Sequence, residues 1–89
     1  MEDKSVFITG GGQGIGKATC EAFLRKGARV TIAEIDEEAG KETLEEYSHL
    51  GDIRLETVDV AEEAEVATAI RRSVEAGGGL DVLINNAAT

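Results

Sequence analysis

Five glycines follow the first apolar segment of the chain closely enough to form a phosphate-binding turn. The run Val6-Phe7-Ile8 ends at Thr9, and an amphipathic helical pattern begins near Gly14. The five glycines around this junction are Gly10, Gly11, Gly12, Gly14 and Gly16. A strand, a glycine-rich turn and a helix N-terminus together direct backbone N–H groups and the positive end of a helix dipole at one place. Such a junction suits a phosphate ligand.

Two common phosphate-loop patterns fit this stretch incompletely. The dinucleotide pattern G-x-G-x-x-G matches in no register, and from Gly10 or Gly12 its final glycine is missing. The Walker A pattern matches from Gly11 through Lys17. Ala18, however, stands where a magnesium-binding serine or threonine is required, and Thr19 comes one residue late. A P-loop-like nucleotide hydrolase is therefore an alternative hypothesis, and the less favoured one.

A third pattern, Thr-Gly-x-x-x-Gly-x-Gly, matches residues 9–16 completely. This stretch resembles the cofactor loop of the short-chain dehydrogenase/reductase family. The resemblance implies that the backbone amides of the loop hold the pyrophosphate of a nicotinamide dinucleotide, and that Ile15 lies near the nicotinamide. The loop residues that it assigns to the cofactor are Gly10, Gln13, Gly14, Ile15 and Gly16.

An acidic residue, Glu34, follows the second apolar strand pattern, 18 residues after Gly16. An acid at this place can accept hydrogen bonds from both hydroxyls of an adenosine ribose, and it repels a 2′-phosphate. Gln13 is neutral where family members that use NADP often have a basic residue. Both features favour NAD over NADP. The alternative is that Glu34 is a solvated surface residue, or caps the next helix together with Asp36.

Two further motifs of the family follow the third and fourth strand patterns. By the resemblance, Asp59 reaches the adenine amino group and Val60 offers backbone contacts to the ring. The alternative for Asp59 is a cap on the turn into the next helix. Asn85-Asn86-Ala87 resembles the family motif Asn-Asn-Ala-Gly, so that Asn86 and Ala87 would line the cofactor cleft. Ala88 replaces the usual glycine of that motif.

Strand and helix patterns alternate along the whole chain. Strands are predicted at 5–9, 29–33, 53–58 and 81–85, and helices at 14–26, 37–47 and 62–76. This order predicts an α/β fold with a Rossmann-like parallel sheet, β-α-β-α-β-α-β, truncated after the fourth strand. The first two helices should cover one face and the third the other. Val66, Ala67, Ile70 and Val74 are the predicted inner stripe of the third helix.

Composition narrows the choice of partners and compartment. The net charge of −9 argues against nucleic acid and anionic membranes. No apolar run approaches the roughly 20 residues of a membrane span. The chain has one cysteine and one histidine, which argues against a disulfide or a zinc site. A polar start without a signal peptide, together with the single cysteine, predicts a cytoplasmic protein.

The family's catalytic serine and Tyr-x-x-x-Lys pair are not found in the sequence. Tyr47 is the single tyrosine, and Gly51 stands where the lysine would be. We therefore predict that residues 1–89 are the N-terminal NAD-binding portion of a longer oxidoreductase acting on an alcohol/carbonyl pair. A stand-alone dinucleotide-binding module without catalysis is the alternative. The fourth strand would leave an apolar edge, Val82 to Ile84, so a homo-oligomer is expected.

Overall fold

The computed structural model of the chain describes residues 4–10, 12, 14–59, 61–77 and 79–85. Strands and helices alternate in the predicted order, and no boundary differs from its prediction by more than one residue. The elements are β1 Ser5–Thr9, α1 Gly14–Arg25, β2 Arg29–Glu34, α2 Glu37–Tyr47, β3 Ile53–Thr57, α3 Glu63–Gly77 and β4 Val82–Asn85, with a 3₁₀ turn at Ser48–Leu50.

The four strands form a parallel sheet in the order β3-β2-β1-β4. From β1 the chain adds β2 and then β3 on one side, and β4 then pairs with the other side of β1. Val6 of β1 therefore lies between Val30 of β2 and Val82 of β4. The helix that follows β1 (α1) and the helix that leads into β4 (α3) lie on opposite faces of the sheet. In such sheets ligands bind outside the carboxyl ends of the strands where the order reverses, so β1 and β4 define where a site is expected.

Each face of the sheet has its own apolar core. Side chains of one strand point alternately to the two faces, and β1 shows this clearly because Val6 and Ile8 face α1 and α2 while Phe7 faces α3. Leu24 of α1 and Tyr47 of α2 are buried in the first core. Ala69 of α3 is buried in the second. The prediction that the first two helices cover one face and the third helix the other is confirmed.

The inner face of α3 differs from its predicted apolar stripe at one position. Ala67 is exposed, whereas Ala69 and Ser73 are buried against the sheet. The Ser73 hydroxyl lies 3.2 Å from the hydroxyl of Thr31 on β2, so the buried serine is hydrogen-bonded. The prediction for Ala67 was wrong because the side of α3 that carries Ala69 and Ser73 faces the sheet, and a residue two positions before Ala69 lies on nearly the opposite side of the helix.

The outer edge of β4 carries no partner strand among the described residues. Val82 and Ile84 are half-buried, and the side chain of Leu83 is 54% exposed. An apolar edge strand of this kind is a surface on which a further strand can pair. The predicted exposure of this edge is confirmed, while self-association remains a prediction. Within the part of the chain that the structure describes, no helix is both long and apolar enough to cross a bilayer.

Candidate binding site at the carboxyl edge of the sheet

The glycine loop turns away from β1 at Gly10. This residue has φ 71°, a left-handed conformation that glycine adopts without the strain of a side chain. Its N–H donates to the carbonyl of Ala33 on β2 at 2.7 Å, which extends the sheet by one bond before the chain turns. Gly14, with φ 54°, is the first residue of α1. The N-terminus of α1 therefore opens at the carboxyl edge of the sheet, beside the ends of β1 and β2.

The carboxylate of Glu34 lies against this loop. Glu34 is the last residue of β2, and only 6% of it is exposed. Its Oε1 accepts a hydrogen bond from the N–H of Gly12 at 3.2 Å, and its Oε2 accepts one from the N–H of Asp36 at 3.1 Å. Glu34 is therefore not a solvated surface residue.

The cap of α2 is a separate residue. Asp36 is the N-cap, and its Oδ1 accepts the N–H of Ala39 at 3.1 Å. This is the usual way in which a short acidic side chain satisfies the first turn of a helix. The side chain of Asp36 thus caps the helix, while the carboxylate of Glu34 accepts N–H groups from Asp36 and from the glycine loop.

Gly12 allows the close approach of Glu34 to the loop. A Cβ built on Gly12 would lie 2.9 Å from both Cγ and Oε1 of Glu34, closer than real Cβ contacts. On its other side, the carbonyl of Gly12 accepts a hydrogen bond from the hydroxyl of Thr43 at 3.3 Å. Both polar groups of Gly12 are thus engaged. Sequence reasoning named this glycine as part of the loop but gave it no contact.

Asp59 caps the turn that leads into α3. Its Oδ1 accepts the N–H of Ala61 at 2.9 Å, and its carbonyl accepts the N–H of Glu62 at 2.9 Å. The N–H of Asp59 donates to Oε1 of Glu65 at 3.2 Å. These bonds support the capping role that the sequence left open as an alternative. The contact of Asp59 with adenine stays a prediction.

An open groove lies between the carboxyl ends of β1 and β4 and the first half of α3. It has a volume of about 480 Å³, and its lining includes Thr9, Asn85 and Val66. The hydroxyl of Thr9 donates to Oδ1 of Asn85 at 2.9 Å, which ties the ends of β1 and β4 together. The groove therefore opens at the point where the strand order reverses, and its volume is typical of ligand sites.

Two large apolar side chains are exposed near this edge. Ile15, in the first turn of α1, is 77% exposed, and Ile35, directly after Glu34, is 58% exposed. Ile15 was selected from the sequence. Ile35 was missed, although an apolar residue between two acids at a strand end is a recognisable signal. A planar apolar ligand can gain contact area from such residues.

Lys17, the lysine of the partial Walker A pattern, does not point to the glycine loop as a phosphate-binding lysine would, but contacts α2. Nζ of Lys17 lies 3.1 Å from Oε1 of Glu46 on α2 and 5.9 Å from the centre of the Tyr47 ring. The hydroxyl of Thr19 donates to the carbonyl of Ile15 at 2.8 Å, as helical threonines commonly do. The lysine that would reach the phosphates and the hydroxyl that would bind magnesium are thus engaged with the helices.

A thiol and a phenol that could in principle take part in catalysis are held in unreactive, protonated states. Burial, assisted by the charge of Glu21, raises the pKa of the Cys20 thiol to about 12. Burial also raises the pKa of Tyr47 to about 12, with Glu21 as a further cause. Neither group ionises near neutral pH, and Tyr47 packs in the core. The described residues hold no cluster of His, Cys, Asp or Glu that could bind a metal ion.

Four of the residues selected from the sequence lie outside the described residues. They are Gln13, Val60, Asn86 and Ala87. The structure brings the other six to the carboxyl edge of the sheet or to the turns that leave it: Gly10, Gly14, Ile15, Gly16, Glu34 and Asp59.

Comparison with known proteins identifies the family of this chain. The sequence pattern of the family described as short chain dehydrogenase matches residues 4–89. An uncharacterized oxidoreductase of Thermotoga maritima is 49% identical over 89 residues, which are 99% of this chain and 35% of that relative. The chain spans about a third of the length of the curated relatives it matches.

Solved structures agree with this assignment. The chain is similar to an NAD+-bound xylitol dehydrogenase with a TM-score of 0.93 and 26% identity, covering 99% of this chain and 34% of that one. It is also similar to a 3-ketoacyl-(acyl-carrier-protein) reductase from Brucella melitensis complexed with NADH, with a TM-score of 0.81 and 29% identity, covering 92% of this chain and 33% of that one. With its parallel sheet, its glycine loop and a match along 4–89, this chain belongs to the short-chain dehydrogenase family of oxidoreductases.

Proposed function

We propose that this chain is the NAD-binding portion of a short-chain dehydrogenase/reductase that interconverts an alcohol and a carbonyl compound. The observation that carries the proposal is the Glu34 carboxylate, buried against the glycine loop at the carboxyl edge of the sheet. An acid at this position can accept hydrogen bonds from ribose hydroxyls and repels a 2′-phosphate. The xylitol dehydrogenase and reductase structures that resemble the chain contain NAD+ and NADH.

The residues at the edge fit the three parts of an adenosine diphosphate group. The N-terminus of α1 offers the backbone amides of Gly14 and Ile15 to a pyrophosphate, and such amides supply a positive potential without needing a basic side chain. The carboxylate of Glu34 meets the ribose. The exposed side chain of Ile35 provides an apolar surface for adenine beside Asp59.

The remaining assignments follow from the family resemblance. Gln13 adds an amide to the pyrophosphate site, and Gly10 and Gly16 shape the turn. Val60 contacts the adenine ring. Asn86 and Ala87 line the cleft toward the nicotinamide, next to the tie between Thr9 and Asn85.

The bound nicotinamide would supply or accept a hydride, while this chain would bind and orient the cofactor. Tyr47 cannot act as the acid or base of the reaction, since it is buried and its pKa is raised to about 12. We propose that the proton-transferring residues belong to a longer protein of which this chain is one part, in keeping with its coverage of a third of its relatives. Its proposed partners are a small alcohol or carbonyl substrate and a second copy of the protein.

The proposal predicts selective binding of NADH by the intact protein. Calorimetric titration should show NADH binding, with NADPH binding at least about tenfold more weakly because Glu34 opposes a 2′-phosphate. ATP with magnesium should bind no better than ATP without it. Magnesium-dependent ATP binding together with no response to NADH would reject the proposal in favour of a nucleotide hydrolase.

A further inference from the structure

We propose that Thr43 is a positioning residue for cofactor selection. Its hydroxyl holds the carbonyl of Gly12, and the N–H of Gly12 holds the carboxylate of Glu34. Thr43 itself touches no cofactor in this arrangement. The inference rests on the proposed function, because it concerns how the chain would distinguish NAD from NADP.

The first step is the contact between α2 and the glycine loop. Thr43 is 0% exposed, and its Oγ1 lies 3.0 Å from the carbonyl of Ala39 and 3.3 Å from the carbonyl of Gly12. A hydroxyl has one hydrogen, so Thr43 shares it between the two carbonyls. The bond to Ala39 is an ordinary contact within a helix. The bond to Gly12 joins residues 31 positions apart and ties the loop to α2.

The second step is the path from Gly12 back to the same helix. The N–H of Gly12 donates to Oε1 of Glu34, and Oε2 of Glu34 accepts the N–H of Asp36. Asp36 is the N-cap of α2, the helix that carries Thr43. The hydrogen bonds therefore form a closed ring, in which α2 holds the loop at one point and the carboxylate at another.

The contacts that fix the carboxylate of Glu34 in this ring are backbone N–H groups, and none of them comes from a basic side chain. A carboxylate held by two N–H groups retains its negative charge toward a ligand, whereas an ion pair would neutralise it. The N–H of Gly12 is also committed to Glu34, so the amides available to a pyrophosphate are those that follow it in the loop. If Thr43 released Gly12, the loop and the carboxylate could shift together. Discrimination against a 2′-phosphate would then decrease.

The test compares Thr43→Val with Thr43→Ser in the intact protein. Valine keeps the shape of threonine and removes the hydroxyl, while serine keeps the hydroxyl and removes a methyl group. Dissociation constants for NADH and NADPH would be measured by calorimetry, and the melting temperature by circular dichroism. We expect Thr43→Val to weaken NADH binding about three- to tenfold, as loss of one hydrogen bond predicts. The NADPH-to-NADH ratio of dissociation constants should fall by a similar factor, and in Thr43→Ser it should stay within about twofold of the parent.

Comparison of the melting temperature with the NADPH-to-NADH ratio of dissociation constants distinguishes a positioning role of Thr43 from a purely structural one. Serine leaves a small cavity in a buried position and should lower the melting temperature while keeping the selectivity. If the selectivity ratio instead follows the melting temperature across both variants, or falls equally in both, the inference is rejected.

A second variant covers the case in which Thr43→Val does not fold. Gly12 has no left-handed φ, so alanine is compatible with its backbone, and the obstacle is the contact with Glu34 at 2.9 Å. Gly12→Ala should displace the carboxylate and lower the same ratio, and an unchanged ratio would contradict the inference.

Absence of NADH binding by the unaltered protein would reject the proposed function, whereas normal selective binding with an unchanged ratio in the variants would reject this inference alone.

Discussion

Replacement of Glu34 by arginine is expected to weaken NADH binding by about 10- to 100-fold and to remove or reverse the preference over NADPH. The carboxylate can accept hydrogen bonds from the ribose hydroxyls, and each bond to a charged group contributes about 1.5–3 kcal/mol. Arginine would instead attract a 2′-phosphate, to which it binds through two parallel N–H bonds. The substitution also removes the acceptor of the Gly12 N–H, so the loop loses a contact at the same time.

Glu38→Arg is the matched control for this experiment. Glu38 is an exposed residue in the first turn of α2, and its replacement makes the same change of charge near the site. Titration of both variants with NADH and NADPH should show a large change for Glu34→Arg and little change for Glu38→Arg. Equal effects would indicate a general influence of net charge. Unchanged selectivity in Glu34→Arg would remove Glu34 from the proposed site.

Replacement of Gly14 by aspartate is expected to reduce NADH binding by about 100-fold, through charge repulsion of the pyrophosphate, while leaving the fold intact. Apart from its chain neighbours and the backbone of α1, no atom of the described residues lies within 4 Å of a Cβ built on Gly14, so a side chain would project away from the described part of the fold at the N-terminus of α1. Its φ of 54° is a conformation that Asp and Asn tolerate better than other residues. An acid at a helix N-terminus is favourable to the helix itself. A carboxylate there would, however, repel a pyrophosphate at the same amides.

The variant Gly14→Asn distinguishes charge repulsion of the pyrophosphate from steric obstruction by a side chain. Asparagine has nearly the same size and the same tolerance for this backbone conformation, but carries no charge. We expect calorimetry to show NADH binding at least about tenfold stronger in Gly14→Asn than in Gly14→Asp, since only aspartate opposes the pyrophosphate. The difference should shrink at high salt, because an exposed charge is screened. Equal affinities in the two variants would show that no phosphate binds at the start of α1.

The fold was predictable because its signals are local and repeated. Apolar runs such as Val6 to Ile8 alternate with amphipathic helical patterns, and glycines or acids mark the turns between them. Alternation of this kind leaves few arrangements other than a parallel sheet. The strand order then brings the loop after β1 beside Glu34 at the end of β2. The buried side of α3 could not be predicted fully in the same way, since Ser73 is polar and still buried.

The contacts that organise the candidate site were beyond sequence reasoning. Nothing in the sequence indicates that the hydroxyl of Thr43 meets a carbonyl 31 residues away. The role of Gly12 depends on the rotamer of Glu34, which is a property of the folded chain. Asp59 shows a different difficulty. An acid at the end of a strand is equally suited to capping the next turn and to contacting a ligand, so the residue type alone does not separate these roles.

A structure of the intact protein with NADH tests the central claim most directly. The account predicts the adenosine ribose within hydrogen-bonding distance of the Glu34 carboxylate and the pyrophosphate at the amides of Gly14 and Ile15. The adenine should lie against Ile35. Density for NADH away from the carboxyl edge of the sheet, or a ribose that makes no contact with Glu34, would contradict the account.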